Sequence, residues 1–420
     1  MYQKTVLSNG VRIITEKLEH FKSVSLGIWV GTGSRDENLE MNGISHFIEH
    51  MIFKGTPSRD TLLIAKELDA VGGLSNAFTG KENTCFHSKV LEKHFTILAD
   101  ILSDIFLNST FDPENIDRER QVILQEINMI DDSPEEQVHE LFNGQFFSNH
   151  PLGLPVLGTS ETIANINRDL IMDHMHSYYS PERIIIAAAG NVEHKKIVDT
   201  FERLFGCLKP SGIKSSEHTH NVENNIICHY KELEQTNICI GGTAPSLSSD
   251  KRFSGAILNT ILGGNMSSRL FQEVREKRGL AYSIYSYLSA YMDAGILGIS
   301  MGTDSREVNN VLDVVNNEIV KLQEGDLSEE DLNAARDHII GGILIGSENT
   351  DSRMMRLAKN EIVFGRNIEY EELVESLEQV TLNDVINCVK EAFSKGNITV
   401  TTLGPLNREN IKLSPGNIFQ

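Results

Sequence analysis

Two histidines and a glutamate fall within about one turn of a predicted helix early in the chain. On a helix spanning residues 42–53, His46, Glu49 and His50 lie within a narrow arc, and the opposite arc is apolar. That apolar arc consists of Ile44, Phe47, Ile48, Met51 and Ile52. Two imidazoles one turn apart suit a first-row transition metal, and the nearby carboxylate would be left to act as a general base.

The pattern H-x-x-E-H reverses the H-E-x-x-H order found in many zinc enzymes, and it needs a third ligand to complete a metal site. Candidates lie on a second predicted helix, residues 114–130, with Asp112 as N-cap and Pro113 in its first turn. Glu119 and Glu126 are two turns apart there and are flanked by apolar residues, where a bare carboxylate is costly without a cation, a donor or a partner. The alternatives are a solvated acidic edge and ordinary helix histidines.

The composition excludes some classes of partner. The chain has 420 residues, is 40% hydrophobic and carries a net charge of −21. Such a charge argues against nucleic-acid binding, which needs a concentrated basic face, and it makes cationic peptides attractive partners, although an acidic surface also serves plain solubility.

Cysteine usage and hydropathy indicate the compartment. The five cysteines include no C-x-x-C pair, as expected for reduced thiols of a cytosolic protein. The first residues lack an apolar signal core, and no stretch approaches 18 apolar residues. We therefore expect a cytoplasmic protein with no membrane partner.

A polar, proline-bearing stretch divides the chain into two domains. We expect an N-terminal domain at residues 1–210, a linker at 211–222 and a C-terminal domain at 223–420. The hydropathy pattern predicts strands at 11–15, 24–30, 74–78, 84–88 and 184–189. It predicts further helices at 95–106, 168–179 and 194–205.

The second half repeats the first. Residues 327–343 parallel residues 111–127, which predicts two domains of one fold. Ala335 and Gly342 take the positions of the two glutamates, and no H-x-x-E-H follows the linker. The C-terminal domain is therefore predicted to lack a metal site of its own.

With these residues placed, the chain resembles the pitrilysin/insulinase family of zinc peptidases. It looks most like the short bacterial members that are similar to the mitochondrial processing peptidase. The resemblance covers nearly the whole chain, and its most specific stretch is residues 262–283. It implies α+β domains, each a mainly antiparallel sheet with helices packed on one face. Each chain would form half of a peptidase chamber.

The resemblance also implies residue roles. His46, His50 and Glu126 would bind one Zn²⁺ per chain, with Glu49 as the general base. Glu119 would orient a ligating histidine through a hydrogen bond.

Two further residues are implied to stabilise the substrate. Tyr282 would hydrogen-bond the scissile carbonyl and Arg275 would hold the substrate backbone, both from the non-metal half of a partner subunit. From the residues alone, Arg275 would more often be a surface charge and Tyr282 a strand packing residue.

A segment near residue 76 resembles the family's edge strand, to which a substrate adds as an extra strand. Its residues are Asn76, Ala77, Phe78 and Thr79. The alternative for Asn76 and Thr79 is simple strand-end capping.

The function expected from these features is a zinc endopeptidase that cuts peptides or unfolded segments inside a dimeric chamber. The dimer would be a homodimer or a heterodimer with a paralogue. The alternatives are a noncatalytic scaffold subunit of the same fold, a peptidase that processes one specific precursor, and an acidic binding module without a metal.

Overall fold

The computed structural model of the protein describes residues 1–210 and 225–412. The predicted linker at 211–222 lies outside these residues, so the linker and the domain boundaries it sets stay predictions. Among the helices of the described ranges, none combines the length and the apolarity that a membrane crossing requires.

The strands that precede residue 191 form one sheet, and the strands that follow residue 224 form a second. They are β1 (Tyr2–Val6), β2 (Arg12–Lys17), β3 (Ser23–Val30), β4 (Leu74–Thr79), β5 (Thr84–Leu91), β6 (Ile184–Gly190), β7 (Asn225–Tyr230), β8 (Thr236–Thr243), β9 (Ala281–Ala290), β10 (Gly295–Thr303) and β11 (Thr399–Gly404).

The α-helices connect these strands. They are α1 (Ile44–Ile52), α2 (Thr61–Ala70), α3 (Phe95–Asn108), α4 (Pro113–Asp132), α5 (Pro134–Phe146), α6 (Ser160–Asn165), α7 (Arg168–Tyr178), α8 (His194–Phe205), α9 (Arg252–Leu262), α10 (Val308–Gln323), α11 (Glu329–Gly346), α12 (Thr350–Phe364), α13 (Tyr370–Glu378) and α14 (Leu382–Ala392).

Two mainly antiparallel sheets share one topology. The first sheet has the order β1-β2-β6-β3-β5-β4, and the second has the order β7-β11-β8-β10-β9. In each sheet one pair is parallel, β2 with β6 and β7 with β11, and the remaining pairs are antiparallel. The predicted α+β fold with two similar domains is confirmed, since the second sheet repeats the order of the first without an equivalent of β1.

The first sheet buries both of its faces. Along β6, Ile184, Ile186 and Ala188 pack into the main helical layer, whose members include α1, α3 and α4. The alternate residues, among them Ile185 and Ala187, point to the other face and contact α12. The predicted helical layer on one face is therefore present, and a single helix is added on the opposite face.

The two compact units exchange segments of the chain. The first unit contains Met1–Met129, the described part of Leu154–His218, and Gly346–Asn367, which carries α12. Conversely, Ile130–Gly153, which carries α5, belongs to the second unit. There α5 packs Val138, Phe142 and Phe146 against strands of the second sheet. The sequence did not indicate this exchange.

Candidate metal centre

The metal-motif helix α1 buries its apolar face completely, as the pattern predicts. Its five apolar residues are no more than 1% exposed, and they pack in the core of the first unit. Since this face is fixed by the core, the opposite face of α1 has to present His46, Glu49 and His50 together.

A buried glutamate fixes the beginning of α1. Gly43 precedes the helix with a φ of +94°, and a Cβ there would lie 2.6 Å from the Leu157 carbonyl oxygen, so glycine is required but offers no capping side chain. Glu37 supplies the cap instead. Its Oε2 accepts from the Gly43 N–H at 2.7 Å and its Oε1 from the Ser45 N–H at 2.8 Å. Burial raises the pKa of Glu37, while these bonds act against that rise.

The second helix of the centre, α4, begins where the sequence predicts. Asp112 Oδ1 accepts a hydrogen bond from the Glu114 N–H at 3.0 Å. Ile116 and Ile123 are buried in the core of the first unit. This packing brings Glu119 and Glu126 to the face of α1 that carries the two histidines.

The structure brings together the three residues proposed as ligands. His46, His50 and Glu126 each offer one ligand atom, and these atoms all lie within 4.8 Å of one another. Oε2 of Glu126 is 3.7 Å from His46 Nε2 and 3.6 Å from His50 Nε2. Within the described residues, this is the one cluster of three or more such side chains that could hold a metal.

These contacts fit a shared cation better than direct hydrogen bonds. Both N···O separations exceed the hydrogen-bond range, and Glu126 Oε2 is sealed from solvent without a hydrogen-bond partner. Ligand atoms that share a tetrahedral metal at about 2.0–2.1 Å are about 3.4 Å apart. Since an unpartnered buried carboxylate oxygen is costly, a divalent metal between the three atoms would satisfy it.

The protonation state of His46 favours metal binding. Burial, together with the neighbouring His50, lowers the pKa of His46 to about 4. The imidazole is therefore neutral near pH 7, and a neutral ring nitrogen is the form that binds a metal.

Glu119 forms a hydrogen bond with one of the histidines. His50 Nδ1 lies 3.1 Å from Glu119 Oε2, and the other oxygen of Glu119 pairs with Lys54 Nζ at 2.7 Å. An ionised carboxylate only accepts, so Nδ1 carries the proton and Nε2 is left free to face Glu126. Sequence reasoning missed Lys54, because nothing in the sequence shows that the segment after α1 meets Glu119 of α4.

Glu49 lies on the same face and is mostly buried. Burial raises its pKa, while a hydrogen bond from Thr79 and the nearby His50 lower it. The Thr79 hydroxyl donates to Glu49 Oε2 at 2.6 Å. A general base needs a raised pKa and an accessible carboxylate, and the position of Glu49 meets the first requirement.

The predicted edge-strand residues form most of β4, the last strand of the first sheet. Asn76 is exposed, and its Oδ1 accepts from the Ala77 N–H at 2.9 Å. Phe78 turns inward and packs edge-on against Trp29, with ring centroids 5.4 Å apart. The substrate-binding role of this strand stays a prediction.

The predicted Arg/Tyr pair lies in the second unit. Arg275 belongs to a short π-helical segment, Phe271–Glu276, and its guanidinium carbon is 5.3 Å from the Tyr282 ring centroid and 4.7 Å from that of Phe271. Tyr282 is 81% exposed. Sequence reasoning missed Phe271, which holds Arg275 through a cation–π contact.

In the second unit, α11 matches α4 but carries no metal ligand at the two positions that match Glu119 and Glu126. On α11, Ala335 is buried and a Cβ at Gly342 would meet nothing within 4 Å. There is thus room for a side chain at the position that matches Glu126, yet none is present.

Two family models match the chain in succession. The first, described as Insulinase (Peptidase family M16), matches residues 12–160. The second, described as Peptidase M16 inactive domain, matches residues 165–339. The second description agrees with the missing ligands on α11.

Relatives of similar length match nearly the whole chain. An uncharacterized zinc protease of Bacillus subtilis is 38% identical over 395 residues, covering 94% of this chain and 96% of the relative. One of Streptomyces coelicolor is 36% identical over 412 residues, covering 96% of this chain and 90% of the relative.

Solved structures share the fold. A protease from Helicobacter pylori superimposes with a TM-score of 0.88 at 19% identity, covering 96% of this chain and 99% of that one. A peptidase M16 inactive domain from Pseudomonas fluorescens superimposes with a TM-score of 0.89 at 16% identity, covering 97% of this chain and 98% of that one. By its matched domains and its relatives, this chain belongs to the M16 insulinase family of peptidases.

Proposed function

We propose that this protein is a zinc-dependent endopeptidase that hydrolyses peptides or unfolded polypeptide segments. The observation that carries the proposal is the convergence of His46, His50 and Glu126, with the carboxylate of Glu49 on the same helix face. The relatives named as zinc proteases support zinc as the metal. The retained ligands and base speak against a noncatalytic scaffold.

His46, His50 and Glu126 would hold the zinc. When bound, zinc supplies Lewis-acid polarisation of a carbonyl and lowers the pKa of water. Glu49 takes the proton of the attacking water and delivers it to the leaving amine when the C–N bond breaks.

The substrate would bind as an added strand beside β4. An edge strand offers backbone N–H and C=O groups, which bind an extended peptide without selecting strongly for its side chains. The net charge of −21 favours cationic segments. Binding as an added strand is compatible with a single specific precursor and with many different peptides.

Arg275 and Tyr282 would stabilise the scissile carbonyl and the substrate backbone from a partner subunit. The exposed Tyr282 hydroxyl and the stacked guanidinium are suited to donate hydrogen bonds to a substrate. The assembly is thus proposed to be a dimeric chamber of two such chains or of this chain and a paralogue. The five unpaired cysteines support a cytoplasmic location.

Hydrolysis of a quenched fluorescent peptide tests the proposal. We expect cleavage by the zinc-loaded protein, loss of cleavage with a chelator, and recovery on addition of zinc. Glu49→Gln should lower kcat by about 100- to 10,000-fold because the base is lost, with zinc content unchanged.

The matched control is Glu114→Gln on α4, whose side chain is 80% exposed and pairs with Arg118 on the surface. This variant should keep the activity of the parent. Cleavage that survives the chelator or Glu49→Gln at a comparable rate would contradict the proposed mechanism. Zinc binding without cleavage of any peptide would favour a scaffold.

A further inference from the structure

The last residue of the edge strand reaches the proposed general base. Thr79 ends β4, where it pairs with Thr84 of β5, and the chain turns back immediately after it through a Gly80 N–H to Asn83 carbonyl hydrogen bond of 2.8 Å. Because α1 packs against β4, the Thr79 side chain meets the face of α1 that carries Glu49.

The contact between Thr79 and Glu49 is short. Thr79 Oγ1 donates to Glu49 Oε2 at 2.6 Å, a distance typical of a charge-assisted O–H···O⁻ bond. Among the described residues, no other group donates a hydrogen bond to this carboxylate. The bond therefore occupies one oxygen of Glu49 and leaves the other for a reacting water.

The two partners differ in stiffness. A glutamate has three rotatable side-chain bonds, whereas a β-branched threonine in a strand is restricted at its single one. The strand is in turn held by its ladder with β5. The donor is thus the rigid partner, and it restrains the carboxylate rather than the reverse.

We propose that Thr79 is a positioning residue that holds Glu49 in the orientation in which it accepts the proton of the attacking water. Since Thr79 also ends the strand beside which the substrate would lie, it sets the position of the base relative to the substrate backbone. This proposal rests on the proposed peptidase function. A strand-end hydroxyl that merely stabilises the fold is the competing explanation.

The test compares Thr79→Val, which keeps the shape and removes the hydroxyl, with Thr79→Ser, which keeps the hydroxyl. Thr79→Ala serves as a second hydroxyl-free variant if Thr79→Val folds poorly. The matched control is Thr84→Val, directly across the ladder, which removes a hydroxyl that donates to the Thr32 carbonyl instead.

Misplacement of a catalytic group costs up to about 100-fold, so we expect Thr79→Val to lower kcat by about 10- to 100-fold. KM and zinc content should stay within about two-fold of the parent, because the backbone of β4 and the metal ligands are untouched. Thr79→Ser and Thr84→Val should retain kcat within about three-fold. A purely stabilising hydroxyl would change the melting temperature and leave kcat of the folded fraction unchanged.

Crystal structures of the zinc-free variants provide a readout that needs no activity. The Glu49 carboxylate should keep its position in the parent and in Thr79→Ser and rotate away in Thr79→Val. An unmoved carboxylate, or an unchanged kcat, in Thr79→Val would overturn the proposal while leaving the peptidase function intact if the parent cleaves. A parent that cleaves no peptide would refute the peptidase function, and the crystal structures would still show whether Thr79 holds Glu49.

Discussion

His50 and Glu119 are joined by a hydrogen bond of 3.1 Å between Nδ1 and a carboxylate oxygen. This bond fixes the ring so that Nε2 lies on the side of Glu126, 3.6 Å from its Oε2. Lys54 binds the second oxygen of Glu119 and keeps that carboxylate in place. The orientation of one proposed ligand thus depends on a residue that does not itself belong to the ligand cluster.

The affinity for zinc should therefore depend on Glu119. Removing a carboxylate that orients a ligating histidine typically costs about 10- to 100-fold in metal affinity. We expect Glu119→Ala to weaken zinc binding by that factor, measured by competition with a chromophoric chelator. Glu114→Ala, on the exposed side of the same helix, should bind zinc like the parent. Equal affinities for all three proteins would show that Glu119 has no orienting role.

Helix α12, which packs on the first sheet, should contribute strongly to the stability of the protein. Met354 is fully buried against the first sheet, and its sulfur accepts from the Trp29 indole N–H at 3.4 Å. Met354→Ala would open a cavity and leave that N–H unpartnered, so we expect a loss of about 2–5 kcal/mol in the free energy of unfolding.

Chemical denaturation of the metal-free protein measures this loss. Lys359→Ala, on the exposed side of α12, is the control and should leave the free energy of unfolding nearly unchanged. If the two variants unfold at the same denaturant concentration, α12 does not hold the first sheet as described.

Acid should destabilise the protein through His174. This imidazole is 2% exposed with both ring nitrogens unpartnered, and burial lowers its pKa to about 4. An unfolded histidine has a pKa of about 6.5, so the unfolded chain binds the proton first. The contribution to stability is fully present above pH 6.5 and is lost progressively as the pH falls towards 4.

Replacement of His174 by phenylalanine keeps a ring and removes the titration. We expect its melting temperature to fall less than that of the parent between pH 6.5 and 4. His176→Phe, on the exposed side of the same helix α7, should follow the parent. Parallel melting curves against pH for the parent and His174→Phe would exclude His174 as a source of the acid sensitivity.

Subunit mixing tests whether the proposed dimer shares its sites. Glu49→Gln and Arg275→Ala subunits should each be nearly inactive alone. A dimer that contains one subunit of each variant has one site with both residues intact and one site with neither, if the sites are shared. Since about half of the dimers in an equal mixture are of this kind, the mixture should recover about a quarter of the parental activity. Absence of recovery, with subunit exchange verified by labelled chains, would show that each chain completes its own site.

Much of the centre could be predicted from the sequence because its periodicity is local. The apolar face of α1 determines where His46 and His50 point, and the helical spacing of Glu119 and Glu126 places both on one side of α4. The repeated strand order follows from the repeated segments. These inferences need only the pattern within an element.

The remaining contacts depend on how distant segments meet. Helices α5 and α12 look like ordinary amphipathic helices, and nothing in Phe142 or Met354 reveals which sheet they cover. Likewise, the contact between Thr79 and Glu49 depends on the packing of β4 against α1. Glu37 caps a helix that begins seven residues later, because glycine is required at the usual capping position.

Anomalous diffraction at the zinc absorption edge from crystals of the zinc-loaded protein tests the central claim most directly. We expect one strong peak per chain, within about 2.0–2.2 Å of a ring nitrogen of His46, a ring nitrogen of His50 and a carboxylate oxygen of Glu126. A peak bound by other residues, or no peak in protein that has been given stoichiometric zinc, would contradict the proposed metal centre.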